Sequence, residues 1–312
     1  MKFSVLCNSR LAIPVIQQLA ENGQLASCAL PDRMHEDNEE ISYWCNMMGI
    51  PIRTFNKDEV AHEMVSWINL YQPDAVFVLT FPYRIPPHVL EVPSRGFINF
   101  HFGRLPEYRG ADAIFWQIKN QESMGGISVH QMTPGIDKGP LFFIHDVSIL
   151  PYETYGSHSN KLALAGRESV MKLIAMLHQG AAPITQSENN ARYYKRLTLQ
   201  DVSINWSNKA TAIVALINAC NPWNRGAIAS IHQMPIRIIA ATSQVRKPGN
   251  FAIGEVICAD DVNGLCIACG NNEQIRADIC LINNEFIATP NIHLTGIKAG
   301  LLFDNQQHVL QK

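Results

Sequence analysis

The first eighty residues alternate apolar runs too short for helices with stretches of helical periodicity, and this alternation constrains the fold more than any other feature. "MKFSVLC", "LASCAL", "IPIRTF" and "DAVFVLTF" read as buried strands. Between them, "AIPVIQQLAENG", "DNEEISYWCNMMG" and "DEVAHEMVSWINLYQ" repeat apolar residues at helical spacing; the first ends on a glycine and the second opens on an acidic turn. Strands separated by helices must pair in parallel, so the sequence predicts an α/β domain: a Rossmann-like, mostly parallel twisted sheet with helices on both faces. Ligands of such sheets bind beyond the carboxyl ends of the strands. The turn after the first strand, "CNSRLA", contains no GxGxxG, which argues against a nicotinamide dinucleotide.

One strand breaks the apolar pattern. In "GFINFHF" (96–102), Asn99 and His101 lie two apart and share one face, while Ile98, Phe100 and Phe102 share the other. The loop "GRLPEYRG", a helix "ADAIFWQIKNQ", a strand "GGISVHQM", the turn "TPGIDKG", a strand "LFFIHDVSIL" and a long helix over about 154–179 follow. The tract "GAAPITQSENNARYYKRLTLQD" is polar, carries a proline and shows little periodicity, so it reads as a linker. Beyond it, a helical stretch and short runs such as "GAIASIH", "IRIIAAT", "AIGEVICA" and "IRADICLI", separated by Gly, Pro and Asn turns, predict a smaller β-rich domain resembling an OB-like barrel. The expected division is a first domain over 1–182, a linker over 183–204 and a second domain over 205–312, with no internal repeat.

Composition supports a globular chain: 47% of 312 residues are hydrophobic, enough to bury a substantial core. A formal net charge of -2 creates no field that would draw the chain to nucleic acid or an anionic membrane. No stretch is apolar enough for a signal segment or a membrane span, so a cytoplasmic protein is expected. Eight cysteines in such a chain read as reduced thiols. Four of them, Cys258, Cys266, Cys269 and Cys280, crowd into one segment, but only one pair has zinc-ligand spacing. Strand alternation turns Cys266 and Cys269 to opposite faces, so no metal is assigned and the four are read as small core residues.

Asn99 and His101 sit near the carboxyl end of their strand, and Asp137 lies in the glycine-rich turn after another, so the topology brings an amide, an imidazole and a carboxylate to one crevice. An imidazole can take a proton from an attacking amine, an amide N–H can stabilise an oxyanion, and a carboxylate can orient the imidazole. These are the parts of acyl transfer to an amine without a covalent enzyme intermediate; neither a GxSxG nor a cysteine lies beside them. Each residue also has a structural reading: a satisfied half-buried histidine, a loop-tying asparagine, an Asx-turn aspartate. His130, alternating with Ile127 and Val129, reads as structural, as do Phe115 and Trp116 in the following helix. Tyr152, Tyr155 and Ser157 read as a helix start.

The segments "INFHFGRLPEYRGADAIFWQI" and "GGISVHQMTPGIDKGPLF" resemble the folate-dependent formyltransferase family. That family includes methionyl-tRNA, glycinamide ribonucleotide and sugar-nucleotide N-formyltransferases. Its Asn-x-His strand, Leu-Pro-x-Tyr-Arg-Gly loop and His-x-Met…Asp-x-Gly segment occur here in order. The tract "RLTLQDVSINWSNKATAIVALINACNPWNRGAIAS" resembles the opening of the barrel-like C-terminal domain of its methionyl-tRNA and aminoarabinose members. The resemblance implies a catalytic triad of Asn99, His101 and Asp137. It also implies a 10-formyltetrahydrofolate pocket lined by Leu79, Phe81, Tyr83 and Ile85 of "VLTFPYRIPPHVLEVPSRG" and by Gly135 and Ile136 of the turn. The implied reaction is attack of a primary amine on the formyl carbon, with Asn99 and protonated His101 stabilising the tetrahedral oxyanion and Asp137 supporting the histidine.

Departures from the family bear on the acceptor. Methionyl-tRNA formyltransferases usually follow the Pro-Asp of the second strand with a basic insertion, whereas this chain reads "PDRMHEDNEEISYW", short and acidic. Because nucleic-acid affinity rests largely on Lys and Arg neutralising phosphates, this weighs against tRNA, as does the lack of a basic stripe after Asn205. Arg225, Arg237, Arg246 and Lys247 could still gather into a patch on folding. The first turn lacks the family's Gly-Thr, and Gly103 and Arg104 replace a hydroxyl and an apolar residue after the histidine. Arg104 fits either an anionic acceptor or the solvent, and Tyr108 and Arg109 of the loop either touch ligand or brace it. The expected partners are therefore folate and a small anionic amine such as an amino-sugar nucleotide, with methionyl-tRNA as the disfavoured rival. Hydrolysis of formyltetrahydrofolate and a non-catalytic relative are further alternatives.

Overall fold

The computed structural model describes residues 1–245 and 249–304, and its first half is the expected alternation. In order come β1 (Phe3–Cys7), α1 (Ile13–Glu21), β2 (Leu25–Pro31), α2 (Glu36–Met47), β3 (Ile52–Phe55), α3 (Val60–Tyr71), β4 (Ala75–Leu79), a one-turn α4 (Pro87–Leu90) and β5 (Phe97–His101). A short β6 (Arg109–Gly110), α5 (Ala113–Lys119), β7 (Met124–Gln131), β8 (Leu141–Ser148), α6 (Tyr155–His178) and a short β9 (Tyr193–Tyr194) complete this half. The main sheet has seven strands in the order β3-β2-β1-β4-β5-β7-β8. Its first five are mutually parallel, and β7 and β8 run antiparallel.

Local chemistry explains the helix starts. Ser9 accepts from the Leu11 N–H ahead of α1, and Pro14 occupies the first turn, where a missing N–H costs nothing. His35 caps α2, and Glu36, Asp37 and Glu39 complement the positive end of that helix. Thr154 and Ser157 exchange backbone and side-chain bonds at the start of α6, as expected for that stretch.

Register separates the two faces of the sheet. Val78 pairs with Asn99 and Leu6 with Val78, so these side chains share a face. There Leu6, Val76, Val78 and Phe97 pack with Met64, Trp67 and Ile68 of α3 in a dry cluster. The opposite face carries Phe3, Phe77 and Phe100 in a run of ring contacts at 4.5 and 5.6 Å, each buried ring contributing roughly 1.5–3 kcal/mol. α1 and α6 meet each other through Arg167, which bonds Gln18 and Glu21.

The chain divides into two units, and the division is interleaved. Met1–Ala113, Met124–Ser148 and Ser159–Tyr194 form the first; Ile114–Ser123, Ile149–His158 and the chain from Lys195 onward form the second. Residues 183–194, read from sequence as linker, belong to the first unit, where β9 pairs in parallel with β6. The second unit contains α7 (Ala210–Ala219), β10 (Ala227–Ile231), β11 (Met234–Val245), β12 (Val256–Asp260), β13 (Gly264–Ala268), β14 (Glu273–Ile282) and β15 (Glu285–Ala288). Its sheet is antiparallel in the order β10-β11-β14-β13-β12, with β15 on β14. The described pairings give the expected β-rich unit but do not themselves close a barrel.

Cys258 and Cys266 face each other across β12 and β13, Cys269 lies beyond the end of β13, and Cys280 is on β14. All eight cysteines are buried and none is in a disulfide. Among the described residues no group of three or more His, Cys, Asp or Glu side chains could hold a metal ion. Nor is any described helix long and apolar enough to cross a membrane.

Candidate active site

The face carrying Leu6 and Val78 becomes polar at the carboxyl end of β5. Asn99 lies opposite His130 across the antiparallel β5–β7 pair, and His101 lies opposite Ser128. Each partner has a task. The Ser128 hydroxyl, fully buried, donates to the Gly103 carbonyl at 2.6 Å and accepts from the Leu105 N–H at 3.0 Å, pinning the loop that leaves β5.

That loop turns back beneath the imidazole. His101 Nε2 donates to the Tyr108 carbonyl at 2.6 Å, which fixes a proton there and turns Nδ1 toward Asp137 Oδ2 at 3.7 Å. Gly103 allows the close approach: a Cβ at this position would lie 2.9 Å from His101 Nε2 and 2.7 Å from the Ala113 Cβ. Gly103→Ser should therefore push the ring from Asp137 and lower turnover by about tenfold or more, because sub-ångström placement of an acid–base group matters that much, with a lower melting temperature from the crowded Ala113 Cβ. Steady-state kinetics beside a melting curve checks this; wild-type turnover would refute it.

Asp137 reaches the site from the turn after β7 in the left-handed conformation, φ +52°. Its Oδ2 accepts from the Gly110 N–H at 2.8 Å, and its Oδ1 lies 3.5 Å from both Asn99 Nδ2 and His130 Nε2. Burial alone would raise this carboxyl. The charge of His101, the hydrogen bond and charge of His130 and the Gly110 N–H outweigh burial and hold it well below the usual carboxylate range. Asp137 is therefore a fixed negative charge facing His101.

His130 does more than its sequence position suggested. Its Nδ1 donates to the Gln131 carbonyl at 3.0 Å, and its Nε2 lies between Asn99 Nδ2 at 3.1 Å and Asp137 Oδ1 at 3.5 Å. The signal for this was the pairing of two strands: a polar residue on β7 opposite a polar residue on β5.

The remaining expected site residues separate into walls and braces. Phe81 and Tyr83 meet edge to face at 5.3 Å, and both pack with Ile85 and Met132 against the α3 cluster. Arg84 ties this loop to the Asp137 turn through the Pro134 carbonyl at 3.3 Å, and Ile136 at the turn's tip is exposed. Leu79 does not join them. It is two residues from Phe77 and pairs with Cys7, so alternation sends it to the face opposite Asn99, into the core. Arg104 is ion-paired with Asp146 of β8 rather than open. Tyr108 is buried and stacks on Tyr194 at 5.2 Å, and Arg109 is only 1% exposed, bonded to Gln186 and Glu188. Both therefore brace the loop.

The chemistry available is oxyanion stabilisation by an amide N–H, proton transfer by an imidazole and charge support from a carboxylate. Burial pushes the thiols of Cys220 and Cys280 up to about 12, which leaves these two poor nucleophiles.

Comparison with known proteins follows the same lines. Residues 15–174 match the family Formyl transferase, and residues 196–282 match Formyl transferase, C-terminal domain. The chain belongs to the formyl transferase family. It is 28% identical over 271 residues to the methionyl-tRNA formyltransferase of Geobacter metallireducens, covering 83% of this chain and 84% of that protein. Among solved structures, the N-formyltransferase from Helicobacter canadensis in complex with folinic acid and dTDP-3-aminofucose is 17% identical. It superposes with a TM-score of 0.66 over 89% of this chain and 98% of that one. WlaRD, a sugar 3N-formyl transferase solved with dTDP and 5-N-formyl-THF, is 19% identical with a TM-score of 0.64, over 88% and 96% of the two chains. The likeness to a methionyl-tRNA enzyme lends no support to the expectation that tRNA is the disfavoured acceptor.

Proposed function

We propose that this formyltransferase moves the formyl group of 10-formyltetrahydrofolate directly onto a primary amine. The observation that carries the reading is the convergence of Asn99, His101 and Asp137 at the end of β5, where the hydroxyl opposite His101, that of Ser128, is committed to the Gly103 carbonyl and the Leu105 N–H. The amine forms a bond to the formyl carbon, and the carbonyl electrons move onto oxygen, where the Asn99 N–H and the His101 cation meet the charge. Collapse breaks the bond to the folate nitrogen, which takes up the amine's proton, so tetrahydrofolate and a formamide leave. Asp137 holds the histidine cation in place. Phe81, Tyr83 and Ile85, with Gly135 and Ile136 opposite, form the wall for the pterin.

The acceptor in this reading is a small anionic amine such as an amino-sugar nucleotide. Only Asp32–His35 separate β2 from α2, whose first turn is acidic, and Arg10 beside them is committed to Asp37 through its backbone and side chain at 3.0 and 2.9 Å. Within that loop Arg33 alone is a lysine or arginine, and its guanidinium lies over the Tyr83 ring at 5.2 Å. Of the four residues that could form a basic patch in the second unit, Arg225 is exposed, Arg237 donates to the Asn224 carbonyl, and Arg246 and Lys247 lie outside the described residues. A second reading, methionyl-tRNA as acceptor, is favoured by the likeness to the Geobacter enzyme over most of both chains.

Tetrahydrofolate release, with product mass, from 10-formyltetrahydrofolate plus dTDP-amino sugars or plus methionyl-tRNA decides between them. Turnover with a sugar nucleotide alone is expected. Turnover with tRNA alone would replace this acceptor assignment, and formate release without any amine would make the enzyme a hydrolase.

A further inference from the structure

The network around buried Arg109 leads through one amide to the Asp137 turn. The Gln186 side chain, 7% exposed, accepts from Arg109 Nε and Nη2 at 3.3 and 2.9 Å through Oε1. Its Nε2 donates to the Asp137 carbonyl at 2.8 Å and to the Gly139 carbonyl at 2.6 Å. Both acceptor sites and both donors of the amide are thus used. Arg109 is locked from its far side by Glu188, at 2.9 and 3.1 Å, and the Tyr193 hydroxyl donates to the Ile136 carbonyl. The β6–β9 pair places Gly110, whose N–H holds the Asp137 carboxylate, beside Tyr194. Residues 186–194 therefore grip the Asp137 turn by its backbone while the neighbouring strand grips its carboxylate.

We propose that Gln186 is a positioning residue for formyl transfer: anchored by Arg109, its amide holds the backbone of the Asp137 turn and so sets where the carboxylate meets His101. The inference rests on the formyl-transfer reading for its kinetic consequence. Asp137 adopts a left-handed backbone, uncommon for a residue with a side chain, and the Gln186 bond to its carbonyl helps hold it there. The amide touches no reacting atom, so its influence passes through Asp137.

Gln186→Glu is the informative change. It keeps an acceptor for Arg109 but replaces the donor facing two carbonyl oxygens with another oxygen. The turn should shift, and kcat should fall about 10–100-fold, with KM for folate and for the acceptor the wild type uses, dTDP-3-aminofucose or methionyl-tRNA, within about twofold. In an Asp137→Asn background the same change should have almost no further effect, because the two act in series; a merely structural role would lower both backgrounds equally. A carbon-13 NMR titration of the Asp137 carboxyl reads the link without turnover. His101, His130 and Tyr193 face that carboxyl from β5, β7 and β9, Lys138 follows it in the turn, and Glu188 lies in the adjoining strap. In Gln186→Glu its midpoint should rise toward the usual aspartate value of about 3.9. Wild-type kcat, equal losses in both backgrounds, or an unmoved midpoint would overturn the inference. A wild-type protein releasing no tetrahydrofolate would instead sink the formyl-transfer reading, leaving the titration to decide the role of Gln186.

Discussion

His101→Ala should lower kcat for formyl transfer by ~10²–10⁴-fold, the usual cost of removing a general acid–base group from a formed site. The imidazole lies between the Tyr108 carbonyl and the Asp137 carboxylate, and no other described group spans that gap. His130, the nearest imidazole, is tied to Gln131 and Asn99 and cannot substitute without abandoning them. His101→Gln separates structure from chemistry. A glutamine amide can still donate to the Tyr108 carbonyl and hold the loop, yet it cannot carry the proton. Both variants should therefore fold while failing in turnover, with KM for folate changed little because the wall proposed for the pterin lies on another loop. Circular dichroism beside tetrahydrofolate release checks the pair; a His101→Gln enzyme within fivefold of wild type would remove the acid–base role.

The sequence carried the frame of this site but not its bracing. Parallel pairing of the early strands followed from their separation by helices, and the polar face of "GFINFHF" followed from two-residue alternation, because both are periodic signals. Asp137 was legible as a turn residue near the carboxyl ends of the strands. The partners of His130 were not legible because they depend on which residue of another strand it opposes, and register is a long-range property. Leu79, which the resemblance put in the pocket, has its side chain on the face opposite Asn99 by the same alternation. Gln186 and Glu188 were hidden for a different reason: "ITQSENNARYY" has no periodicity and reads as linker, although its polar side chains satisfy one buried guanidinium and two backbone carbonyls. A polar tract looks solvated in sequence whenever its partners lie far along the chain. Arg104, which the sequence leaves open to either an anionic acceptor or the solvent, is paired with Asp146, a contact that 42 residues of separation conceal.

Asp137→Asn should cost a comparable ~10²–10⁴-fold in kcat while leaving the turn intact. Asparagine tolerates the left-handed backbone, and its amide oxygen can still accept from the Gly110 N–H, so the loss isolates the charge. Without the carboxylate, the cation on His101 that meets the oxyanion has no counter-charge in a buried setting, which raises the barrier at the step where charge develops. The pH dependence follows from the depressed carboxyl. Its folded-state pKa lies below the unfolded value of about 3.9, so it contributes stability in full above that value and loses it as pH falls through the folded-state value. The wild type should therefore keep this contribution at pH 5 and surrender it only in stronger acid. The asparagine variant should be less stable than wild type at pH 7, and the gap should close as the wild-type carboxylate takes up its proton. Urea unfolding of both proteins from pH 7 down to pH 2.5 measures that gap. A gap that stays constant across the range would mean the carboxylate is not held by His101, His130 and Gly110, and the catalytic role assigned to its charge would fall with it.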